Sequence, residues 1–404
     1  MRDKLHAAVI GLGGRGCWLL KTIHAIKDLE ITAICDIVDD RLQEGLKTLR
    51  ELGAEPECYT DYRRIIDRGD IDLAYVVTNW ITHWEICLDF MNAGIYTATE
   101  VNGAASLDEC WELVHAYERT GTPLMMLENC CYGRNELAVL NMARQGVFGR
   151  IVYAECGYCH DLRGHICSLT HQRMNNNLLR NGDLYPTHGA GPMAKLLNIN
   201  RGNRFVSLVS MSTPALGVQD YLQRRQPDHP LADPRNVRYA CGDVTTSLLK
   251  CAGGEVLMIR HSVSLPQPYS RNNLVHGTRA VYSEAHNGVH IDEVHKEGHW
   301  EPMEEILKQY EHPIWQDYQV SMDDAHGGMD FLVMDAFADA ARHHTEPPID
   351  VYDTATFMAI TALSEASVAM GGMPQAFPDF TRGKWTSGRR ICGGKYCLDK
   401  EGIF

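Results

Sequence analysis

The sequence predicts an α/β protein of two domains: residues 1–129 as alternating strands and helices on a parallel sheet, and residues 130–404 as an α+β domain with an open, mostly antiparallel sheet. Three observations carry the prediction. The chain opens with a short apolar strand that runs into glycines and a helix. Apolar strands then recur with helices between them up to about residue 129, and beyond that point strand-like segments follow one another without regular helices. At 404 residues the chain also exceeds the ~250–300 at which a single core stops growing.

The first strand and turn are His6-Ala-Ala-Val-Ile-Gly-Leu-Gly-Gly-Arg-Gly16, followed by a helix, roughly Cys17 to Lys27, and a second apolar strand, Ile31-Thr-Ala-Ile-Cys-Asp36. Gly11-x-Gly13-x-x-Gly16 between strand and helix is the fingerprint of a Rossmann dinucleotide-binding domain. Its glycines serve the tight turn, the approach of a pyrophosphate to the backbone, and helix–strand packing. Asp36, 20 positions after Gly16 at the end of the second strand, can accept ribose hydroxyls and repels a 2′-phosphate, which favours NAD over NADP. A glycine-rich turn without a ligand is the bland alternative.

Further βα units follow. Asp72 to Asn79 reads as a buried parallel strand leading through Trp80-Ile-Thr-His83 to a helix, roughly Trp84 to Asn92; Gly94 to Val101 and Thr122 to Asn129 are the next strands. In an open α/β sheet the ligand lies beyond the carboxyl ends of the strands, and Asp36, Trp80, His83, Glu100 and Asn129 all fall there. In the second domain a helix is expected from Asn135 to Gln145, then strands at Ile151–Cys159, Arg204–Met211, Val244–Lys250, Val256–Val263 and Thr278–Ser283. The polar, proline-bearing Gln219–Arg238 reads as a surface excursion, and Met329–Arg342 and Tyr352–Met370 have helical periodicity.

One stretch of the second domain carries chemistry: Asp183-Leu-Tyr-Pro-Thr-His-Gly-Ala-Gly-Pro192. Tyr185 and His188, both able to move protons, stand three residues apart across a proline that fixes φ. The alternative is a plain loop with a helix opening at Pro192, Tyr185 packed and His188 capping. Cys156-Gly-Tyr-Cys-His160 matches the string for haem attachment or a redox pair, but its flanks read as a β-strand, on which Cys156, Tyr158 and His160 share one face and Gly157 and Cys159 the other. No metal site is read.

Composition bounds the rest. With 45% hydrophobic and 22% charged residues the chain is ordinary for a globular protein, and a net charge of −14 without a basic block argues against nucleic acid or an anionic membrane as partner. No apolar run reaches the ~18 residues of a spanning helix. No leader pattern precedes the first strand, and 14 scattered cysteines are not a disulfide framework, so a cytoplasmic protein with reduced thiols is expected.

Together these motifs carry a resemblance. Gly-Leu-Gly-Gly-Arg-Gly16, Cys35-Asp36, Thr78-x-Trp80-x-x-His83, Glu100-Val101, Glu128-Asn-Cys-Cys-Tyr-Gly-Arg134, Tyr185-Pro-Thr-His-Gly-x-Gly-Pro192, Asn200-Arg-Gly-Asn203, Pro268-Tyr-Ser-Arg271 and His326-Gly-Gly-Met-Asp-Phe331 resemble glycoside hydrolase family 109. That family lies within the group of glucose-fructose oxidoreductase and inositol dehydrogenase. The resemblance covers about residues 5 to 370. It implies NAD contacts at Arg15, Gly16, Asp36, Trp80, His83, Glu100, Val101 and Asn129, and substrate contacts at Tyr158, Arg173, Tyr185, Pro186, Thr187, His188 and Tyr269. Two departures stand out. Asn102-Gly103 replaces the proline usual after Glu-Val, and Val101 takes the place of the catalytic lysine of the wider oxidoreductase group.

The activity implied is that of an NAD-dependent glycosidase, with α-N-acetylgalactosaminidase the best-known case. Most glycosidases flank the bond with two carboxylates about 5–5.5 or 6.5–9.5 Å apart, and NAD-dependent hydrolysis is the exception. The implied route is transient oxidation at C3, removal of the C2 proton, elimination, water addition and re-reduction, with tightly bound NAD recycled. Tyr185 would remove the C2 proton with Arg173 as a perturber favouring its phenolate, and His188 would take the C3 hydroxyl proton. A net sugar or polyol dehydrogenase of the same fold is the alternative, and a non-catalytic NAD-binding sensor a third. By family analogy the open sheet is expected to form a homo-oligomer.

Overall fold

The computed structural model describes residues 4–169, 171–233, 235, 237–318, 325–386 and 394–399. Two compact units emerge. The described residues within Met1–Arg134, Pro313–Thr356 and Gly388–Gly402 form one, and those within Asn135–His312 and Phe357–Ser387 the other.

The first unit holds a six-stranded, wholly parallel sheet of β1 (Leu5–Ile10), β2 (Leu29–Cys35), β3 (Glu57–Tyr59), β4 (Leu73–Val76), β5 (Tyr96–Thr99) and β6 (Leu124–Met126), in the order β3-β2-β1-β4-β5-β6. The order reverses between β1 and β4, which places the binding crevice beyond their carboxyl ends. Helices Gly14–His24, Asp39–Glu51, His83–Asn92 and Leu107–Thr120 connect the strands. The last of these opens where Ser106 accepts the Glu109 N–H at 3.2 Å and closes on left-handed Gly121, so its ends are written in residue types.

Helix Met329–His343 also belongs to this unit. Tyr75 of the fully buried β4 donates to the Met334 carbonyl at 3.2 Å and meets the Phe337 ring edge-on at 5.2 Å. The hydroxyl needs a buried acceptor and the helix supplies one. Long-range pairing of that kind leaves no local trace in the sequence.

The second unit contains a nine-stranded sheet: β7 (Ile151–Cys159), β8 (Phe205–Ser212), β9 (Thr245–Cys251), β10 (Val256–Ser262), β11 (Leu274–Gly277), β12 (Ala280–Ser283), β13 (Gly288–Ile291), β14 (Glu301–Pro302) and β15 (Gln375–Ala376). Their order is β14-β13-β12-β11-β7-β10-β9-β8-β15, and only β7 and β10 run parallel. Alternation along β9 leaves one sheet face buried and the other with Leu248 exposed.

Helix Thr187–Leu196 lies on the buried face against β7. A Cβ on Gly189 would stand 2.8 Å from both Cys156 Sγ and the Gly157 nitrogen, so only glycine lets helix and strand approach this closely. The helix begins at Thr187, not at Pro192, which sits inside it and has no N–H to donate to the His188 carbonyl. Gln219–Arg238 is not all excursion, since Gly217–Arg225 is helical, and β11, β13 and β14 are too short and polar to announce themselves. Among the described residues no helix is long and apolar enough to cross a membrane.

Candidate active site

The glycine turn of the first unit is shaped by close backbone approaches. Gly11 has φ +94°, and a Cβ there would lie 2.7 Å from the Val77 carbonyl; one on Gly16 would meet the Gly11 oxygen at 2.0 Å. Gly13 differs. No atom lies within 4 Å of its Cβ position, and it caps helix Gly14–His24 without a side-chain hydrogen bond. A helix N-terminus offering backbone N–H groups, with open space before a residue lacking a side chain, fits a pyrophosphate. Asp36 follows β2 directly, and its two oxygens accept the Leu12 N–H at 2.7 Å and the Val38 N–H at 2.8 Å. These bonds aim the carboxylate and leave lone pairs on both oxygens for ribose hydroxyls.

Around this turn the structure gathers Arg15 and Asn129, with Glu100 held by Arg15, on a residue to which the sequence assigned no role. Asp330 is fully buried and accepts both Arg15 terminal nitrogens at 2.7 and 2.9 Å, Asn129 Nδ2 at 2.7 Å and His326 Nδ1 at 2.9 Å. Arg15 Nε reaches Glu100 Oε1 at 3.0 Å, while Glu100 Oε2 accepts the Val101 N–H at 2.9 Å. Burial opposes the charge on both Asp330 and Arg15, but the carboxylates around Arg15 outweigh it and hold the guanidinium's proton more tightly than usual. The donors around Asp330 likewise keep its carboxyl well below the usual range. Its only sequence signal was the His326-to-Phe331 motif itself.

Val101 and Trp80 are buried. His83 is buried between two backbone carbonyls, Thr78 at 2.9 Å from Nε2 and Asn102 at 3.1 Å from Nδ1. Burial lowers its pKa, and the ring, whose neutral form donates to one of the two carbonyls, sits between the turn after β4 and the turn after β5. Asn102 takes φ +62°, which asparagine tolerates, and no proline is compatible with that value.

In the second unit β7 and the helix at Thr187 bring the sequence-selected rings together. Tyr185 Oη and His188 Nε2 lie 3.4 Å apart, long for a hydrogen bond but within reach of one on a small shift. The Tyr158 ring lies 4.4 Å from that of Tyr185 and 5.5 Å from that of His188. Arg173, from helix Gln172–Leu179, holds its guanidinium 4.7 Å over Tyr185 and 5.8 Å over Tyr158. A cation in that place favours negative charge developing on a phenol oxygen. Cys159 and Ser270 exchange backbone hydrogen bonds at 3.0 and 2.9 Å, which sets the half-exposed Tyr269 ring 6.0 Å from Tyr158 and 5.3 Å from His160. Pro186 precedes the helix, and Thr187, its first residue, is buried.

Three neighbours received no site role from the sequence, although His160 was placed on the strand face of Tyr158. His160 lies 3.4 Å from the Tyr158 hydroxyl, its pKa lowered first by burial and then by Arg173. His261 pairs in register with Tyr158 across β10 and is pushed down to about 3 by burial and by Arg173, so it stays neutral. Asp183 accepts the Tyr185 N–H at 3.1 Å. Cys156 to Cys159 lie on β7, as expected, and His160 follows its end. Cys156 faces the helix, and Cys159 Sγ accepts from Asn272 Nδ2 at 2.9 Å, both as free thiols.

Comparison with known proteins decides the family. Residues 132–387 match "Glycosyl hydrolase 109, C-terminal domain", and residues 5–128 match "Oxidoreductase family, NAD-binding Rossmann fold". The chain belongs to glycosyl hydrolase family 109. It is 40% identical over 390 residues to a glycosyl hydrolase family 109 protein of Solibacter usitatus, covering 93% of this chain and 88% of that one. It is 36% identical over 410 residues to an alpha-N-acetylgalactosaminidase of Tannerella forsythia, covering 94% and 87%. Among solved structures, levoglucosan dehydrogenase in complex with NADH shares the fold at TM-score 0.71 and 16% identity, covering 93% of this chain and 99% of that one. An inositol dehydrogenase homolog complexed with NAD+ from Azotobacter vinelandii does so at 0.67 and 15%, covering 93% and 98%. This family 109 enzyme is thus a glycosidase with an NAD-binding Rossmann domain.

Proposed function

We propose that this enzyme hydrolyses N-acetylgalactosaminides or related hexosides by an oxidation–elimination route, with Tyr185 and His188 as its proton-moving residues. The observation that carries the reading is the set of groups around that pair: Tyr158, His160, Arg173 and Tyr269, aromatic and cationic, in place of the two facing carboxylates of ordinary glycosidases. The name of the Tannerella relative supports the choice of sugar.

NAD, when bound, would supply reversible oxidation at the sugar C3 carbon and be recycled without net change. Gly13 and the following helix N-terminus would hold its pyrophosphate and Asp36 its ribose hydroxyls, with Arg15 and Asn129 fixed by Asp330 and Glu100 by Arg15. His188 accepts the C3 hydroxyl proton at Nε2. With C3 a ketone the C2 hydrogen is acidic, and Tyr185, as a phenolate whose charge Arg173 balances, takes it as a proton at Oη. The glycosidic oxygen leaves from C1, water adds there, and Tyr185 and His188 return their protons. Val101, where a dehydrogenase of the wider group carries lysine, sets the reading apart from net sugar oxidation.

The outer sheet face supports a homo-oligomer. Val209, Leu248 and Met258 form one row across β8, β9 and β10, with Met211 exposed on the same face, and sedimentation of the purified enzyme tests it. Buried free cysteines support a reducing compartment.

A panel of α- and β-linked aryl glycosides, assayed with no added NAD and run in D2O, tests the mechanism. The expected result is aryl release with no lasting NADH absorbance and deuterium at C2 of the freed sugar. Release without deuterium at C2 would exclude the elimination route.

A further inference from the structure

Asp183 is a buried acid that the proposed chemistry does not use. It is 1% exposed, and among the described residues its carboxyl accepts one hydrogen bond, from the Tyr185 N–H to Oδ1 at 3.1 Å, with no partner for Oδ2. Its own N–H donates to Ser364 Oγ at 2.8 Å on helix Val351–Ala369. The groups that face it carry no free positive charge. On β7 this is the Cys156 thiol and from the following loops the Cys241 thiol, both pushed up first by burial and also by Asp183. On the helix, Glu365 lies against Gly182 and is held bidentately by Arg180 at 2.7 and 2.6 Å, so that cation is committed to Glu365.

A carboxylate with a single neutral donor and no cation paired to it is costly in such surroundings, whereas the neutral acid is tolerated. We infer that Asp183 is a positioning residue that holds the Tyr185 backbone as a neutral acid and acts as a pH gate on the Tyr185–His188 pair. This rests on the roles proposed for that pair. Burial, opposed only by the Tyr185 N–H, raises the Asp183 pKa to about 7, so the gate closes just above neutrality. Once ionised, Asp183 sets a negative charge two residues from Tyr185. That charge opposes a phenolate at Tyr185 and strengthens the grip of His188 on its proton, and both changes disable a base.

The test is the pH dependence of kcat/KM on an aryl glycoside for the NAD-bound wild type and for Asp183→Asn, which keeps the oxygen facing the Tyr185 N–H. The wild type should lose activity above about pH 7. Asp183→Asn should carry that alkaline limb at least one unit higher, so that its activity relative to its own maximum at about pH 9 is roughly tenfold greater. Infrared difference spectra of enzyme labelled with 13C-aspartate provide a second measurement: a protonated carboxyl present at about pH 6, titrating near 7 and absent from Asp183→Asn. An alkaline limb unmoved by Asp183→Asn, or no protonated carboxyl at about pH 6, overturns the proposal. If the wild type releases no aglycone from any glycoside, the function assigned to the pair fails instead, and the infrared titration still decides the state of Asp183. Should Asp183→Asn not fold, the wild-type titration alone decides it.

Discussion

Replacing Asp330 by Asn removes one charge from the centre of the first unit while keeping its shape. Asn129 can still donate to the amide oxygen, but one terminal Arg15 nitrogen then faces an N–H donor in place of an acceptor. Removing one partner of a buried pair costs about 3–5 kcal/mol; the 27% exposure of the Arg15 side chain and its remaining contact with Glu100 lower this to roughly 2–3 kcal/mol. For a unit of this size ~1 kcal/mol shifts Tm by roughly 2–4 °C, so calorimetry should show its transition falling by about 5–10 °C. The depressed carboxyl pKa fixes the pH dependence. Its contribution is complete above the ordinary carboxyl value near 4 and fades as pH falls through the folded value, so the gap between wild type and variant should narrow in acid. Adding Arg15→Met should recover part of the loss, because the uncompensated charge goes with it, with a coupling of ~1 kcal/mol or more. A transition unmoved at neutral pH, or effects that simply add, would show that the network is not what ties helix Met329–His343 to the glycine turn.

Other substitutions probe the two halves of the chemistry. Asp36→Ala removes a charged acceptor worth roughly 1.5–3 kcal/mol, so NAD retention on gel filtration should drop by about 10- to 100-fold; a full complement of NAD would refute the assignment. Tyr185→Phe should still reduce the bound NAD when substrate is added but release no aglycone, whereas His188→Ala should slow that reduction itself by about 10²–10⁴-fold; identical single-turnover traces would end the division of roles. Gly189→Ala forces a methyl against Cys156 and the Gly157 nitrogen, so it should cost about 1–3 kcal/mol in urea unfolding and lower kcat by displacing His188. Wild-type stability and kcat there would mean that the helix can slide on β7.

Local chemistry made much of this enzyme legible in its sequence. The glycine turn, Asp36 and the apolar strands of the first unit follow short-range rules, since a left-handed Gly11 and a buried parallel strand each demand particular residue types in place. Tyr158 and His160 could be placed on one strand face because side chains alternate along β7, and Tyr185 and His188 could be paired because only three residues separate them.

What the sequence could not decide depends on contacts between residues far apart in the chain. Asp330 lies 315 positions from Arg15, and nothing near it marks a buried anion until the guanidinium is beside it. His261 reads as one more strand residue until the parallel pairing of β10 with β7 sets it next to Tyr158 and under Arg173. Helix Met329–His343 has the periodicity of any amphipathic helix, and only the buried hydroxyl of Tyr75, which requires an acceptor, returns it to the first unit. The ionisation state of Asp183 was equally hidden. Its residue type gives the ordinary carboxyl, and burial beside two thiols and a serine, with no cation paired to it, pushes its pKa up. Periodicity and turn chemistry belong to the chain, whereas the dielectric around a charge and the partner that balances it exist only once the chain has folded.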